Sequence, residues 1–300
     1  MSRATAVVVH WRDADDTRGC VESLAAEPEL DLVVVDNGSH PPLAPFAARL
    51  PVTYVRSEEN LGYAGGANLG FDAALAAGAE TLLLVNNDAR VRRGATAAAL
   101  RVLASDPRVA VVGPKVLARE DPSRLWLAWG QVTYRQSLVA LCGAGEPDGP
   151  AFARERDVEW VAGCAMWLRA AALRDVGLLD EAFFAYHEEV DWCTRARACG
   201  WRVVYCPAAV VTHTGRGTAG GTAAVRVRKY FAARNSILFA RKHAPPAARV
   251  KLACFLAASL PLQLLWQWPR GGGGDVWLKI RGVRDGLLGR RPPFEALGLR

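Results

Sequence analysis

Four polar clusters interrupt otherwise apolar stretches of the chain: Asp36-Asn37-Gly38-Ser39, the run from Glu58 to Asn68, Asn86-Asn87-Asp88, and Glu188-Glu189. Carboxylate and amide oxygens can hold polar ligands or hard cations, and a carboxylate can accept a proton during a displacement. Glycines let backbone approach a ligand closely. Each cluster also has a plainer explanation. Asp-Asn-Gly-Ser is good turn chemistry, Asn or Asp before a helix is a good cap, and acids at a helix start interact favourably with its dipole. The dipole says nothing, however, of the aromatic approach Phe183-Phe184-Ala185-Tyr186 that precedes the Glu pair.

The elements that must position these clusters are short. Ala4–His10, Leu32–Val35, Val52–Val55, Thr81–Val85 and Val109–Val112 read as β-branched or aliphatic strands, and Thr17–Ala26, Gly66–Ala77 and Ala95–Ala104 between them favour helix. Continuous apolar strands separated by helices predict an α/β fold with a parallel sheet covered on both faces. Ligands bind outside the carboxyl ends of such strands. The first three clusters follow three of these strands, so they share one edge, and their coincidence there favours a site over three unrelated turns. Further along, Gln131–Val139 reads as a short strand and Val158–Leu168 as an apolar one. Ala170–Gly177 is a helix with a glycine stop, a second helix ends near Gly200, and a strand Arg202–Cys206 leads to Thr212-His213-Thr214. Asp191 and Arg195, four apart on that second helix, suit an ion pair.

The end of the chain differs in character. Residues 1–225 carry 22 Lys+Arg against 27 Asp+Glu, whereas residues 226–300 carry 15 against 3. Such a tail suits an anionic surface such as lipid headgroups. Nucleic acid is excluded as a partner, since no reading module accompanies the charge. Leu252–Pro269 is 18 residues without a charge, holds Trp266 and Trp268, and is interrupted by Pro261. It is marginal as a membrane span and suits an interfacial segment as well as a buried hairpin closing the domain. Gly271–Gly274 reads as a flexible break before a basic helix, Val276–Leu288. Seven scattered cysteines without a C-x-x-C pair argue against a disulfide framework or a structural zinc site. The N-terminus enters an apolar strand rather than a cleavable signal. The expected location is cytoplasmic, and peripheral on the inner face of the plasma membrane if the tail meets a bilayer.

Val33–Ser39, Asn60–Asn68, Leu84–Asp88 and Tyr186–Trp192, in this order, resemble glycosyltransferase family 2, the GT-A fold, and in particular its rhamnosyltransferase-like branch. The resemblance runs from about Thr5 to His243. It implies a nucleotide-diphospho-sugar transferase fold, a mostly parallel central sheet flanked by helices, in a domain of residues 1–243. Residues 244–300 are left as a basic, apolar helical extension.

Carried onto these residues, the resemblance implies that Asp36 accepts the imide N–H of uracil or thymine, a role that suits an acceptor-only carboxylate. Asn37, Asn60, Gly62, Gly65, Asn68 and Asn87 would lie beside the donor, and Arg216 would reach a phosphate. Asn86-Asn87-Asp88 stands where the family carries its metal motif, with Asp88 the chief ligand, Asn86 a weaker one and His213 completing the set. Mg²⁺ or Mn²⁺ would neutralise charge on the departing diphosphate, and imidazole favours Mn²⁺. Glu189 matches the general base by position, with Glu188 as the alternative. Trp160 and Gly163 would lie on the strand lining the acceptor pocket, although tryptophan on an apolar strand also suits a core. Arg234-Asn235, in a helix Tyr230–Phe239, has no role that the residues themselves suggest.

The implied activity is inverting transfer of a rhamnose-like sugar from a dTDP- or UDP-sugar donor. The acceptor hydroxyl would belong to a saccharide, a lipid-linked saccharide or a small molecule. A catalytically idle nucleotide-sugar-binding scaffold is the alternative, admitted by Asn86 and Glu189 where the family prefers aspartate. A nicotinamide-dependent oxidoreductase is a third reading, which lacks its glycine fingerprint, since Val9-His10-Trp11-Arg12 stands where that would be.

Overall fold

A computed structural model describes residues 3–47, 50–135, 138–215 and 221–299. Its elements run β1 (Ala4–His10), α1 (Ala14–Ala25), β2 (Leu30–Asn37), α2 (Ala44–Ala47), β3 (Thr53–Ser57), α3 (Gly62–Ala76), β4 (Thr81–Asn86), β5 (Ala89–Val91), α4 (Ala95–Ser105) and β6 (Val109–Ala118). There follow β7 (Leu125–Leu127), β8 (Trp129–Val132), β9 (Val139–Cys142), β10 (Arg156–Asp157), β11 (Ala165–Arg169), α5 (Ala170–Val176), α6 (Glu188–Ala198) and β12 (Arg202–His213). The chain ends in α7 (Gly221–His243), α8 (Pro246–Gln267) and α9 (Gly273–Leu287). These group into two compact units, one of residues 1–131, 141–184 and 188–218, the other of residues 132–140, 185–187 and 219–300.

The first unit is built on one sheet in the order β10-β12-β6-β11-β4-β1-β2-β3, with β5 on β12 and β7 on β6. β3, β2, β1 and β4 are mutually parallel, as their uninterrupted apolar runs predict. β11 then runs antiparallel to both β4 and β6, and β12 returns parallel to β6. Every residue of β1 is buried. Ala4, Ala6 and Val8 belong to the same core cluster as Cys20, Val21 and Leu24 of α1 and as Ala99, Val102 and Leu103 of α4. α3 covers the other face, and small residues allow it to sit close. A Cβ at Gly70 would come 2.2 Å from Val7 Cγ1, and one at Gly66 2.8 Å from Val9 Cγ1.

Several expectations are corrected. α3 begins at Gly62, so Gly62–Asn68 is helix rather than loop; Gly66 serves helix–sheet packing against Val9, and Gly62 makes room for Phe184. The apolar run Val158–Leu168 is a strand only from Ala165. Trp160 makes an isolated bridge to Gly130, and Gly163 lies in the turn before β11. Neither residue is therefore on a strand lining a pocket. β12 extends past Cys206, through a register irregularity, to His213. Gln131–Val139 falls across a hairpin, β8 and β9, instead of forming one strand.

In the second unit α9 packs on α7 through glycines: a Cβ at Gly282 would meet the Tyr230 carbonyl at 2.4 Å, and one at Gly286 the Arg234 carbonyl at 2.7 Å. Tyr230 Oη donates to the buried Asp285 carboxylate at 3.0 Å. α7, placed by sequence in the first domain, thus groups with the C-terminal helices, so this unit takes in more than residues 244–300. Gly273 and Gly274 already belong to α9 rather than to a flexible break.

Candidate active site

Asn86 ends β4, beside the end of β1 in the parallel register Val9↔Asn86. The next strand, β5, pairs antiparallel with the end of β12 in the register His213↔Ala89, which sets His213 next to Asp88. His213 Nε2 lies 2.9 Å from Asp88 Oδ1, and Thr214 Oγ1 donates to Asp88 Oδ2 at 2.6 Å. Both Asp88 and His213 are buried. Burial works to raise the Asp88 pKa, but the His213 and Thr214 contacts outweigh it and hold the carboxyl below its ordinary range. Trp126 packs edge-on against the imidazole, with ring centroids 4.4 Å apart.

Asn86 completes this corner. Its Nδ2 lies 3.4 Å from His213 Nε2, while its Oδ1 is buried with no hydrogen-bond partner. Oxygen and nitrogen of an amide are assigned by their partners, and the flipped orientation would turn the oxygen to the same point. An amide oxygen, a carboxylate and an imidazole nitrogen then converge, a donor set that fits Mg²⁺ and better Mn²⁺. Among the described residues no group of three or more His, Cys, Asp or Glu side chains could hold a metal by itself. Asn86, Asp88 and His213 would supply part of a coordination shell, and ligand oxygens the rest.

The carboxylate pair begins α6. Just before it, Phe184, Tyr186 and His187 have φ of 64°, 68° and 72°, a left-handed backbone that costs free energy for residues with side chains. Phe184 is seated on Gly62, itself at φ 77°, where a Cβ would come 2.5 Å from the phenyl ring. Ala64 N donates to the Phe184 carbonyl at 3.1 Å. Within the second unit, Asn235 Nδ2 donates to the carbonyls of Ala185 and Tyr186 at 2.8 and 2.7 Å. Asn235 thus pins residues 185 and 186, and Arg234 Nη1 donates to Asn235 Oδ1 at 3.0 Å, which orients its amide. Burial pushes the His187 imidazole down to about 4.

Glu188 is buried, and burial first, then the charge of Glu189, pushes its carboxyl well above the ordinary range. Glu189 is half-buried and lies against Gly163, where a Cβ would come 3.3 Å from Glu189 Cβ and Cγ. Tyr63 Oη donates to the Gly163 carbonyl at 2.9 Å. Burial, then the charges of Asp88 and Glu189, pushes the neighbouring Cys164 thiol well up. The Cys164 carbonyl in turn accepts a hydrogen bond from Asn86 N at 3.0 Å. One turn, Gly163-Cys164, thus joins the Asp88 corner to Glu189.

Other predicted donor residues do structural work. Asp36 is fully buried. Its Oδ1 accepts from Ser39 N and Oγ, and its Oδ2 from Leu43 N, Tyr54 Oη and Arg56 Nη1, all at 2.6–3.0 Å. Burial opposes ionisation, but these donors prevail and hold the carboxyl down at about 2. Both oxygens are committed to these internal donors, so Asp36 could accept a nucleobase N–H only by sharing or exchanging one of them. Asn37 bonds Leu61 N, the Gly62 carbonyl and Asn60 Oδ1, and Asn60 caps Gly62 N. Asn68 ties α3 to Leu179 and Glu181. Gly65 is helical, with its Cβ direction filled by Leu61. Asn87 reaches Thr17 Oγ1 at 3.1 Å, beside the buried His10. Trp160 is buried over Gly130 as core. Arg216 lies outside the described residues.

Thr214, Trp126, Tyr63 and Cys164 emerge only from the structure. Thr214 and Tyr63 sit within or beside a recognised motif and could have been found by adjacency. Nothing in the sequence marks Trp126, which a separate strand brings to His213.

Residues 2–232 match the family described as Glycosyltransferase like family 2. Among curated proteins, galactofuranosyltransferase GlfT1 of Mycobacterium tuberculosis is 32% identical over 216 residues, covering 69% of each chain. N-acetylglucosaminyl-diphospho-decaprenol L-rhamnosyltransferase of the same organism is 29% identical over 67% of this chain and 74% of its own. The low-salt glycan biosynthesis hexosyltransferase Agl10 of Haloferax volcanii is 25% identical over 69% of this chain, which spans 66% of that relative. Among solved structures, mannosyltransferase PcManGT from Pyrobaculum calidifontis, in complex with GDP-Man and Mn²⁺, superposes with a TM-score of 0.59 at 18% identity, over 96% of this chain and 88% of its own. The fold is of the GT-A type, as the resemblance implied. The chain belongs to glycosyltransferase family 2.

Proposed function

We propose that the protein transfers a sugar from a nucleotide-diphosphate donor to an acceptor hydroxyl, with inversion and with dependence on a divalent metal. The observation that carries this reading is the Gly163-Cys164 turn, which couples Asp88, His213 and Asn86 on one side to Glu189 on the other. Asp88, His213 and Asn86 would hold Mg²⁺ or Mn²⁺, which when bound supplies positive charge to a departing diphosphate. Glu189, the more accessible of the acidic pair, is assigned to take the proton from the acceptor hydroxyl, leaving the carboxyl group neutral. Glu188 is buried and its carboxyl is pushed up by burial, so it is the less accessible of the two to an acceptor. Displacement in one step needs no covalent intermediate.

Rhamnose and galactofuranose are the first sugars to test, by likeness to the rhamnosyl- and galactofuranosyltransferases above; a dTDP- or UDP-linked donor is what the sequence resemblance implies. Candidate acceptors are saccharides, lipid-linked saccharides and small-molecule hydroxyls. NMR of the product formed from an α-linked donor tests the stereochemistry. A product of the opposite anomeric configuration to the donor supports single displacement, and one of the same configuration contradicts it. An idle nucleotide-sugar-binding module would show metal-dependent nucleotide binding with no transfer to any acceptor class.

A further inference from the structure

α8 carries its polarity in the reverse sense for a helix in water. Ser259, Gln263 and Gln267, four residues apart, form its polar stripe, and all three are half-buried. Lys279 Nζ of α9 donates to Gln263 Oε1 at 2.8 Å, and Gly272 packs on the Gln267 side chain. The outward surface is apolar instead: Leu262, Leu265, Trp266 and Trp268 are 66, 73, 63 and 62% exposed. A surface helix in water turns its apolar stripe inward; one among lipid tails turns polar groups toward its helical neighbour. The helix Pro246–Arg270 also has a window of mean hydropathy 1.4 of which 11% is buried, long and apolar enough to cross a membrane.

The charges say what covers this face. No charged residue falls between Lys251 and Arg270. Arg249 and Lys251 bracket one end, and at the other Arg270 stacks 4.5 Å over Trp266. Of the three acids after residue 225, Asp285 is buried and Asp275 is paired with Lys229. Glu295 is the one exposed acid of the three, so the outward charge is predominantly positive. A second copy would bring like charge against like, whereas anionic headgroups complement it.

We infer that α8, with Trp277 of α9 beside it, docks in an anionic bilayer. Leu262, Leu265, Trp266 and Trp268 enter the acyl region, and Arg249, Lys251 and Arg270 lie at the phosphates. The test is flotation of the full chain with vesicles of equimolar phosphatidylglycerol and phosphatidylcholine, and with phosphatidylcholine alone. The intact chain is expected to float with the anionic vesicles and to bind the neutral ones about tenfold or more weakly. The triple variant L262S/L265S/W266S should lose about tenfold or more of the anionic binding. Its circular dichroism and nucleotide binding should be unchanged, and R270E, a single change at an exposed position, should weaken binding in the same direction. No flotation of the intact chain, equal flotation of the triple variant, or equal binding to neutral vesicles would overturn the inference. So would a lipid-free dimer that the triple variant dissociates in the absence of vesicle binding.

Discussion

His213 Nε2 stands 2.9 Å from Asp88 Oδ1 because β5 and the last residues of β12 pair in register, bringing together residues 125 positions apart in the chain. Both are buried, and Asn86 points an amide at the same nitrogen. This corner can bind a divalent ion only by exchanging its internal contacts for metal bonds.

His213→Ala should therefore weaken metal-dependent nucleotide binding by about tenfold or more, and Asp88→Asn by at least as much. Nucleotide binding without metal should change little. Titrations of each variant across Mn²⁺ concentrations check this. An unaltered metal requirement in both variants would remove the corner from the account.

Glu189→Gln should lower kcat by about 10²–10⁴-fold while donor affinity stays close to that of the parent. Steady-state kinetics with binding measured separately make the distinction. Full activity in Glu189→Gln would move the base to Glu188.

Glu188 predicts a stability trend of definite sign. Its folded pKa is raised, so above the ordinary glutamate range the unfolded chain releases a proton that the folded chain keeps. Stability falls with rising pH until the raised pKa is passed. Glu188→Gln should flatten that slope and melt higher than the parent at neutral pH. Thermal denaturation from pH 4 to pH 8 measures it, and parallel curves would contradict the assignment.

Asp36→Asn should destabilise the fold by about 2 kcal/mol or more, because Arg56 loses a buried charge partner. The carboxyl sits at about 2 when folded against about 3.9 when unfolded. Its contribution of about 2 kcal/mol is present above the unfolded value and lost as pH falls towards 2. Denaturant titrations at pH 7 and pH 3 should show a smaller gap between parent and variant at the lower pH.

The contrast between Asp36 and Asp88 shows how far the sequence could be read. Strands β1 and β4, the α/β class, the Asp191–Arg195 pair, which closes at 2.9 Å, and the polar edge all follow from periodicity and local spacing. Asp36 and Asp88 each end an apolar run and look equivalent in the sequence. What separates them is non-local: Tyr54 and Arg56 from β3 close over one, and His213 and Thr214 from β12 reach the other. The reversed strand β11 and the helical start of α3 were hidden for a similar reason. Glycine-rich Gly62–Asn68 has poor intrinsic helix propensity, and packing against β1 and β2 overrides it. The inverted polarity of α8 was also illegible, since composition does not say which face meets α9.

Asn86, Asp88 and His213 are proposed as a metal-assisted donor site. Calorimetric titration of the protein with UDP and with dTDP, each with and without Mn²⁺, tests it most directly. Micromolar binding of one of these nucleotides is expected with Mn²⁺, and binding at least about tenfold weaker without it. Binding of neither nucleotide to demonstrably folded protein, or equal binding with and without the metal, would contradict it.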